Sequence, residues 1–299
     1  MFRAVEFYSE GATIRGRLYL PQSAKKPPLV IMAHGTSATI AMVADKYAEC
    51  FCRSGMGVLL YDHRNFGISD GEPRQEINPW TQCRGYRDAV GFATTLAEID
   101  GSRIGLWGDS FTGGQVVLVG AMDERVKAVV AQCPVFGAEQ PQLSPSPENF
   151  AVLKEILEKG DIRGSPETTT GPLPVVSFDP VAIPSLLLPI QAFRWFIDYG
   201  GRAGTRWINR VTRVIPRTQV PYSPFLCAPF LKQPTLMIVA TDDEMVHANY
   251  GVTKAAFSLI RGEKEWYDIE GGHFGMLYYP SELFDTASRK QSDFFRKWL

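Results

Sequence analysis

Short runs of aliphatic residues recur along the chain and alternate with segments whose apolar residues have helical spacing. The runs "PLVIMAHG", "GVLLYDHR" and "VKAVVAQCP" are apolar at successive positions, which is typical of strands buried on both faces. Strands of this kind, separated by helices, pair in parallel within one sheet that helices cover on both sides. The alternation therefore predicts an α/β fold with a mostly parallel, doubly wound sheet.

Eight strands are predicted for this sheet, and a long irregular segment separates the sixth from the seventh. The strands are 4–8, 13–20, "PLVIMAHG", "GVLLYDHR", 103–107, "VKAVVAQCP", "PTLMIVA" and "KEWYDIE". The segment between them, residues 134–232, is rich in proline, and strand periodicity disappears there. Four of its residues lie at helical spacing: Trp207, Val211, Val214 and Ile215. We predict a core of residues 1–133 and 233–299, with 134–232 inserted as a helical lid.

Composition and charge exclude several classes of protein. The 299 residues carry a formal net charge of −1, so no overall field attracts nucleic acid or an anionic membrane. Five cysteines without a C-x-x-C pair favour a reduced compartment over a disulfide framework. Four histidines lack the spacing of metal ligands, and "GDSFTGG" lacks the lysine of a phosphate loop, so no metal or cofactor is expected.

The expected setting is cytoplasmic. The first residues, "MFRAVEFYSEG", lack the apolar segment of a signal peptide. The most apolar run, "IPSLLLPIQAFRWFI", is too short to span a membrane and contains Pro189 and Arg194. We expect a protein that acts on a small molecule, without nucleic acid or a membrane span, and the sequence is compatible with a homo-oligomer.

The segment "RIGLWGDSFTGG" places a serine at the junction of a strand and a helix. Residues 103–107 form a predicted buried strand, and residues 115–122 form a predicted apolar helix. So sharp a turn strains the backbone at its corner, and Gly108, Gly113 and Gly114 leave room for it. Ser110 at this corner would project its hydroxyl toward a substrate, as in a nucleophile elbow.

A serine hydroxyl is a poor nucleophile until a base removes its proton, and that base needs an orienting carboxylate. Of the four histidines, only His247 and His273 follow Ser110 in the chain. His273 lies in a glycine-rich loop, "EGGHFG", directly after the last strand. His247 opens a predicted helix and would need an acid upstream of it, so His273 is the favoured base.

Two neighbouring aspartates compete for the role of the acid. Asp242 and Asp243, in "ATDDEMVH", follow the seventh strand. Asp243 is favoured because the turn after it leads straight into the next helix, and Asp242 is the reserve. Asp268 is predicted to be an ordinary strand residue. The strand that ends at Cys133 has no acid after it, which removes the other usual location.

The negative oxygen that forms during attack needs preorganised amide donors. We expect one donor to be the N–H of Phe111, which opens the helix after the nucleophile. We expect the other to be the N–H of Thr36 in "AHGTSA", where Gly35 lets the backbone turn.

Other polar residues near these motifs are expected to have ordinary structural roles. His34 is predicted to be a satisfied structural histidine, and His63 to lie at the surface or at a corner. Asp109 is expected to be solvated rather than to tune the nucleophile. Five arginines are expected to form an outward-facing, solvated helix stripe, with an anionic-substrate or partner surface as the alternative: Arg202, Arg206, Arg210, Arg213 and Arg217.

Five segments, in this order, resemble the α/β-hydrolase family: "PLVIMAHGTSA", "YDHRNFGISDGEP", "RIGLWGDSFTGG", "ATDDEMVH" and "EGGHFG". They look most like the branch near the dienelactone-hydrolase and X-prolyl-peptidase-like proteins, in which a tryptophan precedes the elbow and two glycines follow it. The resemblance implies the α/β-hydrolase fold and the same five roles at the matching positions: nucleophile Ser110, acid Asp243, base His273 and oxyanion amides Thr36 and Phe111.

Two positions depart from the family pattern. Thr112 stands where the elbow G-x-S-x-G has its second glycine, so helix packing there is expected to be looser or shifted by a residue. Asn65 stands where "D-x-R-G" has glycine, and asparagine also tolerates positive φ. Neither departure removes a predicted catalytic group.

These residues indicate a serine hydrolase that cleaves a carboxylic ester, or a related acyl bond, of a small apolar substrate through an acyl-serine intermediate. Aromatic residues of the lid, Phe193, Trp195 and Trp207, are predicted to contact the acyl group. An acyltransferase, a thioesterase or an amidase would use the same triad. A non-catalytic ligand receptor of the same fold is the third class, and the intact triad argues against it.

Overall fold

The computed structural model describes residues 1–22, 26–162 and 166–299, and a large twisted sheet crosses the molecule. The strands in chain order are β1 Phe2–Ser9, β2 Ala12–Tyr19, β3 Leu29–Ala33, β4 Gly57–Tyr61, β5 Glu76–Ile77, β6 Ile104–Asp109, β7 Val126–Gln132, β8 Pro166–Leu173, β9 Val211–Pro216, β10 Thr235–Ala240 and β11 Lys264–Ile269. Eight of them form the large sheet in the order β1-β2-β4-β3-β6-β7-β10-β11.

The large sheet is parallel except at one edge. Strands β3, β4, β6, β7, β10 and β11 pair in parallel, whereas β1 with β2 and β2 with β4 pair antiparallel. The predicted doubly wound, mostly parallel sheet is therefore confirmed. Its eight strands are the eight predicted ones, and the long insertion lies between the sixth and the seventh of them.

The continuous apolar runs are buried because each parallel strand supplies side chains to two cores. Along β3, Leu29 and Ile31 pack in one core, while Val30 and Met32 pack in the other. All five residues of this strand are buried, with exposures of 0%. A strand with helices on both faces needs apolar side chains at odd and even positions alike.

Eight α-helices, counted over the residues that the structure describes, provide those covering layers. They are α1 Ala44–Arg53, α2 Pro79–Ala93, α3 Ser110–Met122, α4 Pro147–Lys159, α5 Ile190–Gly200, α6 Pro224–Cys227, α7 Tyr250–Leu259 and α8 Glu282–Trp298. Helices α2, α3, α4, α6 and α7 contribute to one core, and α1, α5 and α8 contribute to the other. None of the helices in the described parts of the chain is both long enough and apolar enough to cross a bilayer.

The insertion contains a small sheet, which corrects the helix predicted at Trp207 to Ile215. Residues 211–216 form β9, which pairs in parallel with β5 and antiparallel with β8. The spacing of Val211, Val214 and Ile215 fits a helix, but the β-branched run favours a strand once partners are available. The partners come from the insertion itself and from Glu76–Ile77, far away in the sequence. The insertion therefore contains strands, although the sequence between 134 and 232 shows no strand periodicity.

The five arginines do not form a stripe on one helix. Arg202 follows the end of α5, Arg206 and Arg210 lie in irregular backbone, and Arg213 lies within β9. Arg217 follows that strand. The side chains of Arg202, Arg206, Arg210 and Arg217 are nevertheless exposed, as expected, and Arg213 is half-buried.

Candidate active site

The predicted nucleophile lies at a strained turn between β6 and α3. Ser110 is the first residue of α3 and has a φ of 54°, a left-handed value that is costly for any residue with a side chain. Close packing leaves no room for a side chain at Gly108, where a Cβ would lie 2.4 Å from the carbonyl oxygen of Thr112. The same holds at Gly114, where a Cβ would lie 2.4 Å from the oxygen of Val135. Glycine is therefore required at these two positions near Ser110, because neighbouring backbone atoms approach them closely.

Thr112 strengthens this turn, although the family pattern has glycine there. Its side chain is fully buried. Its hydroxyl is shared between the carbonyl oxygen of Ala33, which lies 3.1 Å from Oγ1, and the carbonyl oxygen of Asp109. The close approach is made one residue later, because a Cβ on Gly113 would lie 2.9 Å from the Cα of Pro134. Of the two expectations for this departure, the shift by one residue agrees with the structure and looser packing does not.

The predicted base and the favoured acid are in direct contact. The His273 ring Nδ1 lies 2.7 Å from a carboxylate oxygen of Asp243, and both side chains are 2% exposed. Asp243 follows β10 and also accepts a hydrogen bond of 2.9 Å from the N–H of Met245, which fixes the carboxylate. Since Nδ1 donates to Asp243, the tautomer leaves Nε2 as the basic nitrogen of the ring.

The alternative acids and base lie elsewhere. Asp242 is exposed and accepts a hydrogen bond from the Thr241 hydroxyl at 3.2 Å. Asp268 lies within β11, as expected, and accepts from Trp266 and Tyr250. His247 is exposed, and α7 begins only at Tyr250.

Charges around His273 stabilise its protonated form. Burial lowers the pKa of His273, but the carboxylate of Asp243 and its hydrogen bond outweigh this, and Glu244 and Asp109 act in the same direction. The pKa of His273 therefore lies above its ordinary value. Cys133, Asp243 and His273 each bring a donor atom within 4.8 Å of the others, a set that metal ions also use. The Asp243–His273 hydrogen bond accounts for two of these positions without a metal.

The turn that carries Thr36 packs directly against the nucleophile. A Cβ on Gly35 would lie 2.6 Å from the carbonyl oxygen of Asp109 and 2.8 Å from the Cβ of Ser110. Thr36 itself has a left-handed φ of 44°. Phe111 is the second residue of α3, and the first N–H groups of a helix have no partner within the helix. Both expected amide donors thus flank Ser110.

A buried ion pair supports this turn, and it corrects the expectation that Asp109 is solvated. Asp109 is 2% exposed and accepts from the N–H of Gly35 at 2.9 Å. Its other oxygen lies 3.0 Å from Nδ1 of His34, whose Nε2 lies 2.8 Å from the carbonyl oxygen of Met42. Burial lowers the pKa of His34, but Asp109 raises it above its ordinary value. His34 is thus a satisfied structural histidine, as expected.

Of the two places expected for His63, the structure supports the corner and not the surface. His63 begins the turn after β4, where its carbonyl oxygen accepts from the N–H of Phe66 at 3.0 Å; it is 4% exposed and contacts the rings of Tyr61 and Tyr86. Neither ring nitrogen has a hydrogen-bond partner among the residues that the structure describes. Burial lowers the pKa of His63 to about 3, so the ring is neutral. Asn65 adopts the expected left-handed conformation, with a φ of 64°.

One cavity joins these groups. Ser110, His273, Thr36, His34 and Asp109 line its polar side. Its apolar side is formed by Ala38, Leu187, Trp195, Phe196, Met245, Phe274 and Leu277. Within the described ranges, the Ser110 hydroxyl makes no hydrogen bond, so it is available to a ligand that enters this cavity.

The predicted aromatic contacts are only partly at the cavity. Trp195 lines it, fully buried, with its indole N–H donating to the carbonyl oxygen of Leu277 at 2.8 Å. Phe193 packs near Phe178, and Trp207 packs on Phe196, so neither lies among the described lining residues. Phe196, which also lines the cavity, is one of the lid aromatics from which an apolar acyl group is expected, but the remaining apolar lining residues were not predicted. Met245 could have been found, because it lies two residues after Asp243.

The chain resembles several proteins of known description. A family model described as serine aminopeptidase, S33, matches residues 24–165. The quorum-quenching protein AidA of Acinetobacter baumannii is 29% identical over 98% of this chain and 94% of its own length. A thiohydrolase of Eupenicillium brefeldianum is 30% identical over 82% of this chain and 79% of its own length. The acyltransferase drtE of Aspergillus calidoustus is 26% identical over 99% of this chain and 95% of its own length.

Solved structures share the fold across the whole chain. DcsB, solved in complex with its substrate analogue, has a TM-score of 0.74 and 25% identity, with 100% of both chains covered. The α/β hydrolase GrgF from Penicillium sp. sh18 has a TM-score of 0.75 and 23% identity, covering 100% of this chain and 99% of GrgF. The second likeness shows the fold alone.

Proposed function

The chain belongs to the α/β-hydrolase superfamily of serine hydrolases, and on this premise we propose that Ser110 attacks the acyl carbon of a small apolar carboxylic ester. The hydrogen bond of 2.7 Å between His273 and Asp243, buried in a cavity that also holds Ser110, carries this proposal. A base oriented by a carboxylate beside a strained serine is the arrangement that acyl transfer needs.

In the first half of the reaction, Ser110 Oγ forms a bond to the acyl carbon while His273 Nε2 accepts the hydroxyl proton. Asp243 keeps Nδ1 protonated and stabilises the resulting imidazolium. The N–H groups of Thr36 and Phe111 donate to the tetrahedral oxyanion. When the carbonyl re-forms, the bond to the alcohol breaks, and the imidazolium gives its proton to the leaving oxygen.

In the second half, water replaces the alcohol as the nucleophile. His273 accepts a proton from this water as its oxygen attacks the acyl-serine. The second tetrahedral intermediate collapses with the proton returning to Ser110 Oγ, and a carboxylic acid leaves. No redox partner or metal is needed for this balance, because each proton that His273 accepts is returned within the same half-reaction.

The apolar side of the cavity supports an uncharged acyl group. Leu187, Trp195 and Phe196 reach it from the insertion, and Met245 and Phe274 reach it from the loops that follow β10 and β11. We assign residues 134–232 the role of a cap over the site, and residues 1–133 and 233–299 the role of the catalytic core. Such a cap excludes water and strengthens the electrostatic contacts inside.

Thioester hydrolysis is the second candidate, and the names of the relatives favour it. One relative is named a thiohydrolase and another an acyltransferase, and an acyl-serine intermediate is compatible with either activity. A thioester differs from an ester here only in the atom that leaves, sulfur instead of oxygen. In an acyltransferase, a second alcohol or amine replaces water. A receptor that binds without catalysis would not need the Asp243–His273 pair.

A panel in which each of several acyl groups is paired with three kinds of leaving group tests the proposal. Purified protein is assayed with matched ester, thioester and amide substrates of two to eight acyl carbons, with and without an added alcohol. We expect turnover of short apolar esters, with free acid as the product. Faster thioester cleavage would favour the second candidate, and ester formation with the added alcohol would indicate acyl transfer.

Variants of Ser110 and His273 test the mechanism on whichever substrate is turned over. Ser110→Ala and His273→Ala should each lower kcat by several orders of magnitude, and the double variant should be no worse than either. Circular dichroism and thermal unfolding check that the folds are intact. Retention of more than a few per cent of activity in Ser110→Ala would exclude an acyl-serine mechanism.

A further inference from the structure

The residue after the acid makes a contact to the base that the proposed function does not use. Glu244 Oε2 accepts a hydrogen bond of 2.8 Å from the main-chain N–H of His273. Asp243 holds the ring of the same histidine at Nδ1. Two carboxylates adjacent in the sequence thus bond to one histidine: Asp243 to its ring and Glu244 to its main-chain N–H.

The loop that carries His273 is built around this carboxylate. A Cβ on Gly272 would lie 2.3 Å from Glu244 Oε2. The loop is tied to the same turn once more, because the N–H of Asp242 donates to the carbonyl oxygen of Gly271 at 3.0 Å. Glycine at 272 is therefore needed for the carboxylate to reach the N–H of the next residue.

Glu244 also places a carboxylate close enough to His273 to affect the pKa of its ring. Its second oxygen, Oε1, is buried and has no hydrogen-bond partner in the described part of the chain. The ionisable groups around His273 are Asp243, Glu244, Asp109 and the Cys133 thiol. Glu244 is among the carboxylates that raise the pKa of His273.

We infer that Glu244 is a positioning residue, which fixes the backbone of His273 and stabilises its imidazolium form during catalysis. This inference rests on the proposed function, in which His273 is the base. Without the hydrogen bond, a buried N–H would lose its acceptor and the loop would be free to shift. A shift of about 1 Å in a catalytic group costs roughly 100-fold in rate.

Replacement of Glu244 separates the two effects. Glu244→Ala should lower kcat by roughly 10- to 100-fold and leave KM within about threefold, since the ligand cavity is untouched. Glu244→Gln keeps an acceptor oxygen for the N–H and should recover most of this loss at neutral pH. In both variants the acidic limb of the kcat/KM profile should move to lower pH, because loss of the charge lowers the pKa of His273.

Glu270→Gln is the matched control. It removes a carboxylate three residues from His273, in an exposed position of the same loop. Its kcat and its acidic limb should equal those of the unmodified protein. An equal shift in this control would mean that any nearby charge suffices and would overturn the role of Glu244.

Gly272→Ala provides a second, independent perturbation. Its methyl group must displace the Glu244 carboxylate, so it should reproduce the loss of kcat seen in Glu244→Ala. In the Glu244→Ala background the same substitution should cost much less, because the clash is gone. Additive losses would contradict the inference, as would a Glu244→Ala enzyme with unchanged kcat and pH profile. Neither result would affect the Ser110→Ala test of the proposed function.

Discussion

At the scale of single residues, Asp242 and Asp243 are neighbours in the sequence, but only one of them contacts the predicted base. The Asp243 side chain is buried and bonds His273, whereas the Asp242 side chain is exposed and meets only the Thr241 hydroxyl. Strand β10 ends at Ala240, so both residues belong to the turn that follows. The preference for Asp243 rested on that turn, and the hydrogen bond of 2.7 Å supports it.

The two aspartates give a sharp test by amide substitution. Asp243→Asn should lower kcat by roughly 10³- to 10⁴-fold, because an amide in this place favours the wrong tautomer of His273. Asp242→Asn is the control of equal size and charge change, and it should stay within about twofold of the unmodified protein. Steady-state kinetics on one ester substrate measures both.

Equal losses in the two variants would contradict this assignment, and a larger loss at Asp242 would reverse it. Both proteins must first show the thermal midpoint of the unmodified protein to within a few degrees. A lower midpoint in Asp243→Asn alone would reflect the buried contact, and kcat would then be compared at a temperature where both are folded.

Other residue-scale features could not be found from the sequence. Motif spacing predicts Ser110 and His273, because a strand-to-helix turn and a glycine-rich loop can be recognised locally in the sequence. The buried pair of Asp109 and His34 has no such local signal, since it forms only where the end of β6 meets the turn at Gly35, 74 residues before Asp109 in the chain. An aspartate beside a turn is usually solvated, and here the Gly35 turn covers it.

At the scale of secondary-structure elements, the core was predicted closely and the insertion was not. Helices α1, α2, α3 and α7 lie between strands of the large sheet and α8 follows its last strand, as the alternation in the sequence predicts. Strand β9 has neither full burial nor strict alternation. Its identity depends on pairing with β5 and β8, which local sequence does not show.

The segment that leads into α5 is expected to set the length of the acyl group. Leu187 lines the cavity and is half-buried, and Leu188 beside it is 61% exposed. Leu187→Ala should open the apolar side and shift the best acyl chain by about two carbons to greater length. Trp195 is a poorer choice, because truncating a fully buried tryptophan costs about 3–5 kcal/mol of stability.

Leu188→Ala is the matched control for this change. It removes the same atoms from a neighbouring position that faces solvent, so the chain-length profile should be unchanged. kcat/KM is measured for esters of two to twelve acyl carbons with both variants. The same profile in Leu187→Ala and in the unmodified protein would mean that this part of the insertion does not contact the acyl group.

At the scale of the whole molecule, the insertion also concentrates positive charge. Residues 174–217 hold six arginines and two aspartates, although the chain as a whole has a net charge of −1. Because the side chains of Arg202, Arg206, Arg210 and Arg217 are exposed, this charge faces water and not the cavity. The insertion therefore supplies apolar side chains to the cavity and exposed arginines to the outer surface.

One buried histidine, His63, makes the stability of the whole fold fall in acid. The pKa of His63 falls to about 3 on folding because burial penalises its charged form, and both ring nitrogens lack partners in the described ranges. Unfolded histidine has a pKa of about 6.5. Between these values the unfolded chain binds a proton that the folded chain does not, so stability falls as pH falls through this window. The slope is at most about 1.4 kcal/mol per pH unit.

His63→Phe should remove this slope while keeping the ring contacts with Tyr61 and Tyr86, whose centroids lie 5.5 and 5.9 Å from that of His63. Asp62 works in the opposite direction, since burial raises its pKa to about 6, but both proteins share it. The difference between the two free energies of unfolding therefore isolates His63. Measured by urea unfolding between pH 7 and pH 4, the variant should gain stability relative to the unmodified protein by about 1 kcal/mol or more per unit of acidification below pH 6. A constant difference across that range would show that His63 becomes charged in the folded protein, and its ring would then have to lie in contact with water or with a carboxylate.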